Sequence, residues 1–277
     1  MGFKALVIAA ASMFLGAQDS DSQSVSRATE LTYADLADLA LAAPIAAHVR
    51  IRDADRLPRE LAATAPPGHR RYLVEADVVA LIRGAGGLPE RVRYLIDLPD
   101  YSAARPRRRS EWLILAERPA GQPAGELRLV ATDAQLPYAP GTAERLREVL
   151  REASQPGAPP RITGIGRAFH VPGSLPGESE TQIFLQTADN RPISLTILRR
   201  PNQIPRWSVA LSEIVDEAAA APARDTLLWY RLACTLPPAL PRESVREAGA
   251  DEARAIVADY RLVREGLGTC DRDRRPR

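Results

Sequence analysis

Between Arg71 and Asp97 the chain reads RYLVEADVVALIR, then GAGGLP, then ERVRYLID. In the first run one face is Tyr72, Val74, Ala76, Val78, Ala80 and Ile82, all apolar. The other face mixes Glu75, Asp77 and Arg83 with Leu73, Val79 and Leu81, so it is half wetted. Successive side chains of a strand point to opposite faces, and a run of period two therefore predicts a strand with one side on a core. The glycines of GAGGLP supply the turn, and the second run returns as a partner strand. This hairpin commits the first part of the chain to a sheet.

The surrounding segments extend it. LTYADLADLALAAP pairs Thr32 with Asp35 as a helix start, carries Leu36, Ala40 and Leu41 on one stripe, and stops at Pro44. AHVRIRD, EWLILA and ELRLVA read as strands, and TAERLREVLREA as a closing helix ending near Ala153. SQPGAPP, residues 154–160, is the clearest linker. Beyond it the outline repeats: ITGIGRAFH, TQIFLQT, ISLTIL and RWSVALS as strands, then a helix around ARDTLLWYRLAC. Local echoes (GGLP with GSLP, LILAERP with LTILRRP) raise an internal duplication. The expected fold is α+β. It has two strand-rich OB-like units, small barrels or open sheets, each followed by a helix, with an N-terminal helix and C-terminal helices. The expected boundaries are 31–153 for the first unit and 161–277 for the second.

The N-terminus places the chain in a compartment. Lys4, an apolar run from Ala5 to Gly16 and then QDSDSQSVS follow the order of a secretory signal peptide. The run spans roughly 18 Å as a helix, short of the about 30 Å hydrocarbon core of a bilayer. Cleavage after Ala17 would leave residues 18–30 as a polar linker, with the mature chain periplasmic and without a transmembrane span. Two cysteines, Cys234 and Cys270, suit one disulfide in an oxidising compartment, with two free thiols the alternative. The bond requires the final helical pattern, about Pro241 to Leu267, to break and double back, and Gly249 offers the break.

Composition closes several chemistries. Of 37 Lys and Arg residues only Lys4 is lysine, so the mature chain holds no amine for a Schiff base and no P-loop lysine. The 35 acids interleaved with the arginines leave a net charge of +2, which does not read as a nucleic-acid footprint.

TGIGRAFHVPGSLPGESETQIFLQTADNRPISLTILRRP and ARDTLLWYRLACTLPPALP resemble segments of an uncharacterised family of exported proteins from sphingomonad-type alphaproteobacteria. The likeness runs from LTYADLADLALAAP to the final cysteine. It implies export and a bacterial source, and it implies no activity.

Candidate site residues are few. His48, His69 and His170 stand far apart with no metal-binding spacing, so neither a metal nor another cofactor is expected. His170 closes a strand before a Gly/Pro turn, with Glu178 and Glu180 downstream, and is the candidate general base. Arg105, Arg107, Arg108 and Arg109 in ARPRRRSEW are the candidate grip on an anionic partner, or else a solvated loop. Trp112, Trp207 and Trp229 sit in apolar patterns as core anchors. Two functions follow. One is an exported, non-enzymatic binding module for an envelope protein or an anionic envelope component. The other is an exported hydrolase of unfamiliar class with its site near His170. A cleft in which His170, an acid and a hydroxyl converge would favour the second.

Overall fold

Alternation along the strands decides which way each sheet faces its core. The computed structural model describes residues 31–100, 105–211 and 220–274, and the expected signal peptide lies outside them. Six strands form the first sheet: β1 (Ile45–Arg56), β2 (His69–Arg83), β3 (Arg91–Pro99), β4 (Glu111–Glu117), β5 (Glu126–Leu129) and β6 (Gln135–Pro137). The order is β1-β2-β3-β5-β4-β6, and β1 pairs with β4 as well. Five strands therefore close into a barrel, with β3 and β5 parallel and the other barrel pairs antiparallel. That strand order is the OB-like arrangement.

Closure depends on β1, which carries register shifts at Ala46/Ala47, His48/Val49 and Ile51/Asp53. Such irregularities bend a strand and sharpen its twist, which lets one strand border two neighbours. The barrel is filled by Ile45, Val49, Ile51, Val74, Val92, Tyr94, Ile96 and Ile114, together with Ala47, Ala54, Ala76 and Ala116. Outside, charges alternate across the strands. Arg50 lies opposite Asp77 and Asp77 opposite Arg91, while Glu75 lies opposite Arg93.

Helix α1 (Tyr33–Ala42) starts where the Thr32 hydroxyl accepts the Asp35 amide at 3.1 Å. Helix α2 (Pro140–Ala153) buries Ala143, Leu146, Val149 and Leu150 on one stripe. The second sheet is an open antiparallel meander of β7 (Ile162–Pro172), β8 (Ser179–Thr187), β9 (Ile193–Arg199) and β10 (Arg206–Ala210). Of the two expected strand-rich units, the first closes and the second stays open. The local sequence echoes do not extend to a common strand order.

Helix α3 (Leu227–Ala233) packs against α1 and α2, and α4 (Ala250–Leu267) lies on β7 and β8. The buried stripe of α4 is Ile256, Asp259, Tyr260, Val263 and Leu267. It meets Ile183, Leu185, Leu195 and Ile197 on the inner side of the sheet. At Gly266 the helix comes so close that a Cβ would stand 2.6 Å from Trp207 Nε1. Trp229 is buried as expected and donates Nε1–H to the Leu267 carbonyl at 2.8 Å, whereas Trp112 and Trp207 are half-buried.

The last helical pattern does break. A 3-10 turn spans Arg242–Val245, Gly249 precedes α4, and Gly268 at φ 69° reverses the chain beyond it. This brings Cys270 back to Cys234, with a Cα–Cα distance of 4.9 Å and the sulfurs at disulfide distance, 2.11 Å. Residues 272–274 then bind α1. Arg272 makes two hydrogen bonds to Asp38 at 2.6 and 2.9 Å, and the Arg274 amide donates to Asp35 at 3.0 Å. The Tyr230 hydroxyl donates to the same Asp38 carboxylate at 2.5 Å. Among the described residues, no helix is long and apolar enough to cross a membrane.

Candidate functional site

His170 sits on β7 directly opposite Thr181 of β8, both turned toward α4. His170 Nδ1 is 2.8 Å from Thr181 Oγ1, and that hydroxyl donates to Asp259 Oδ2 at 2.5 Å. Arg199, at the end of β9, donates Nε–H to Asp259 Oδ1 at 2.7 Å. The His170 amide, on the outer edge of β7, is taken by Glu252 at 3.3 Å. Edge amides are a liability for chain-to-chain pairing, and this contact covers one of them.

The acids near His170 are therefore Asp259 and Glu252 of α4, and not Glu178 and Glu180 as their sequence proximity suggests. Glu178 folds back on its own turn and accepts the Leu175 amide at 3.3 Å. Glu180 lies opposite Val171 in register, on the other face of the sheet from His170. A hairpin places neighbours in sequence on alternate faces, so the two glutamates never shared a side with the histidine. Asp259 had one signal in the sequence, a carboxylate inside the apolar stripe Ile256–Val263. Thr181 and Arg199 had none.

An acid, a histidine and a hydroxyl thus converge, but Thr181 and Asp259 are 0% and 1% exposed. The single proton of Thr181 is given to Asp259, which leaves His170 Nδ1 to donate to Thr181 Oγ1. With its proton committed and no access to solvent, Thr181 has neither the room nor the base that a nucleophile needs. What the array does chemically is satisfy a buried carboxylate on both oxygens and pin α4 to the sheet.

The arginine cluster divides. Arg105 donates Nη2–H to the Ala54 carbonyl at 2.5 Å and stands 5.6 Å above the Tyr72 ring, so it fastens a loop to the barrel. Arg107, Arg108 and Arg109 are exposed and make no ion pair among the described residues. Arg109 holds the loop through its backbone, at φ 68° and with its amide on the Ile51 carbonyl at 2.7 Å.

The other histidines are structural neighbours of the barrel. His48 stacks on Tyr138 with ring centroids 3.9 Å apart, and Nε2 lies 3.0 Å from Glu111 Oε2. Hydrogen bonds from Arg50, and then from His48, hold the Glu111 carboxyl below the usual glutamate range. His69 Nδ1 contacts the Pro67 carbonyl at 3.0 Å. Among the described residues, no three His, Cys, Asp or Glu groups gather in a way that would hold a metal ion.

The second sheet has another face, and across β7, β8 and Leu198 of β9 it carries exposed apolar side chains, whereas Thr196 and Ala210 on the same face are buried. Val171 is 63% exposed, Phe169 44%, Phe184 39% and Leu198 38%. The two phenylalanine rings meet edge to face at 6.0 Å. A groove of about 640 Å³ runs over them, bordered by Glu178, Glu180, Gln182 and Arg200. Sequence reasoning missed this surface because alternation marks which side of a strand is apolar only when the opposite side is polar. Phe169 and Val171 flank His170 on a strand whose two sides are both partly apolar. No protein-family model matches the chain, and no curated protein matches its sequence.

Proposed function

We propose that this protein is an exported, non-enzymatic binding protein of the bacterial envelope, folded in the periplasm, whose working surface is the open face of β7–β9. The observation that carries the reading is that face: four large apolar side chains, exposed together, on a sheet whose opposite side is already filled. Contiguous exposed apolar surface of this kind marks an interaction site, while single exposed apolar residues do not. A groove of about 640 Å³ falls within the range of sites that hold a ligand or a partner's side chains. The pairing of Cys234 with Cys270 supports an oxidising compartment. The likeness to exported alphaproteobacterial proteins supports the same place.

The hydrolase reading is supported by the convergence on His170. It is weakened because the hydroxyl and the acid there are sealed and already bonded to each other.

The test uses the full-length chain in a Gram-negative host. Cell fractionation with intact mass reports export and removal of the first 17 residues. Benzoyl-phenylalanine at Phe184 then reports by photo-crosslinking what lies on the open face, with the same probe at Arg91 on the barrel as control. Adducts at Phe184 and none at Arg91 are expected. A full-length cytoplasmic product, or adducts at neither position, overturns the proposal.

A further inference from the structure

We infer that a cavity between β7 and the 3-10 turn at Arg242–Val245 binds a small primary ammonium compound, an inference independent of what covers the open face. The cavity holds about 260 Å³, near the lower end of ligand pockets at roughly 300 Å³. It lies along the outer edge of the second sheet, where β7 skips register between Ile165 and Ala168. Gly166 and Arg167 therefore have no partner residues on β8. Irregularities of this kind break the ladder and re-aim side chains, and they gather beside sites.

The charges around the cavity do not cancel. Arg167 lies 2.9 Å from Glu247 and Arg246 lies 2.7 Å from Glu243, so both arginines of the lining are spent on neighbouring acids. Glu252 remains. One of its oxygens takes the His170 amide at 3.3 Å, and the carboxylate makes no ion pair among the described residues. It stands in the first turn of α4, whose start supplies roughly half a positive charge, and this leaves the carboxylate in excess. A second, independent observation is Ser244. It lines the cavity, is 5% exposed, and its hydroxyl has no hydrogen-bond partner among the described residues. Buried polar groups are nearly always bonded, and a serine hydroxyl swings between staggered χ1 positions, so an occupant of the cavity can meet it. Gln186 supplies a third acceptor. Gly164 leaves room for its side chain, since a Cβ there would stand 2.6 Å from Gln186 Oε1.

A carboxylate, a hydroxyl and an amide oxygen thus line one space. An ammonium head answers them with three N–H donors and no acceptor. Ile165, Ala168 and Phe169 offer an apolar wall to the carbon skeleton behind it. An anion would meet Glu252 where both arginines are already bonded. A quaternary ammonium carries the charge but no N–H, and it would leave Ser244 without a partner. A metal ion wants three or more converging ligand groups, and no such group is found among the described residues. The chain has no lysine beyond Lys4 to supply the ammonium itself.

Titration calorimetry of the purified protein at neutral pH with hexylammonium chloride tests this, with hexyltrimethylammonium and hexanoate as controls. Saturable one-site binding is expected for hexylammonium, with a Kd on the order of 1 mM for so small a ligand. Hexanoate should not bind, and the quaternary ion should bind roughly tenfold more weakly, having lost its charged hydrogen bonds. Glu252→Gln keeps an acceptor for the His170 amide and should weaken hexylammonium roughly tenfold or more. Ser244→Ala removes a hydroxyl that bonds nothing in the free protein, and should weaken it roughly threefold to tenfold. In amide correlation spectra, hexylammonium should shift Gly166, Ser244 and Glu252 and leave the barrel unmoved. The inference is overturned by an absence of saturable binding, by either control binding as well as hexylammonium, or by binding indifferent to both substitutions. Shifts confined to Phe184 and Leu198 would also overturn it, because they place the amine on the open face.

Discussion

Thr181 and Asp259 are joined by a 2.5 Å hydrogen bond across 78 residues of chain, and both are buried. The bond ties the second strand of the open sheet to the middle of α4, and it decides that the surrounding array is structural. Thr181→Val keeps the shape and removes the donor, leaving one Asp259 oxygen without its partner. The cost should be about 1–3 kcal/mol, because a buried acceptor deprived of its donor keeps its full desolvation penalty. Urea unfolding of the variant measures it, and Thr181→Ser should recover most of the loss.

Tyr94 poses the opposite case. Its ring fills the barrel, but its hydroxyl has no hydrogen-bond partner among the described residues. Burial pushes that hydroxyl far above the ordinary tyrosine range. Tyr94→Phe should therefore be neutral or stabilising by about 1 kcal/mol, since it removes a polar group that is desolvated without return. Ile114→Ala in the same core should cost about 2–5 kcal/mol. Paired thermal melts compare the two.

Alkaline pH should loosen α3 and α4. Burial, and then the hydrogen bond to Asp38, push the Tyr230 hydroxyl up to about 12, and burial pushes Tyr260 up to about 12 as well. A pKa raised on folding means that the native state holds its proton more tightly than the unfolded chain does. The stabilisation is complete below the ordinary tyrosine value of about 10 and is lost as pH rises from there through about 12. Melting temperature followed from pH 9 upward should fall across that window, and less steeply in Tyr230→Phe.

Much of this was legible before any coordinates. The hairpin at 71–97, the stop at Pro44 and the break at Gly249 follow from local rules of alternation and capping, while the pairing of Cys270 with Cys234 stayed one of two open readings. Barrel closure was not legible, because it rests on β1 bordering both β2 and β4. That depends on backbone irregularities within IAAHVRIRD, which no residue type there requires. The surroundings of His170 were hidden for a related reason. Its acidic neighbours come from α4, 82 and 89 residues away along the chain, whereas the glutamates close by in sequence are divided between a turn and the opposite face.

Reduction should act on a defined region. The Cys234–Cys270 link closes a loop of 36 residues, and opening it should cost about 3–4 kcal/mol in the chain-entropy account. The Cys234→Ser/Cys270→Ser variant should also lose amide protection in α1, because residues 272–274 are held beside it by the bridge. Hydrogen exchange resolves the two effects. Loss of protection in α1 and α3 with the barrel unchanged is expected, and uniform loss through the barrel would sink the assignment.

The contact between Asp35 and the Arg274 amide joins residues 239 positions apart. Helix α1 is thus made early and finished late. A nascent chain can shape the barrel while its own downstream half is still missing, but the carboxylates of α1 wait for groups more than 230 residues further along. Closing so long a loop is slow, and the interval before it closes leaves a half-assembled species exposed to its surroundings. For such a chain, the order of arrival constrains folding as firmly as the contacts themselves.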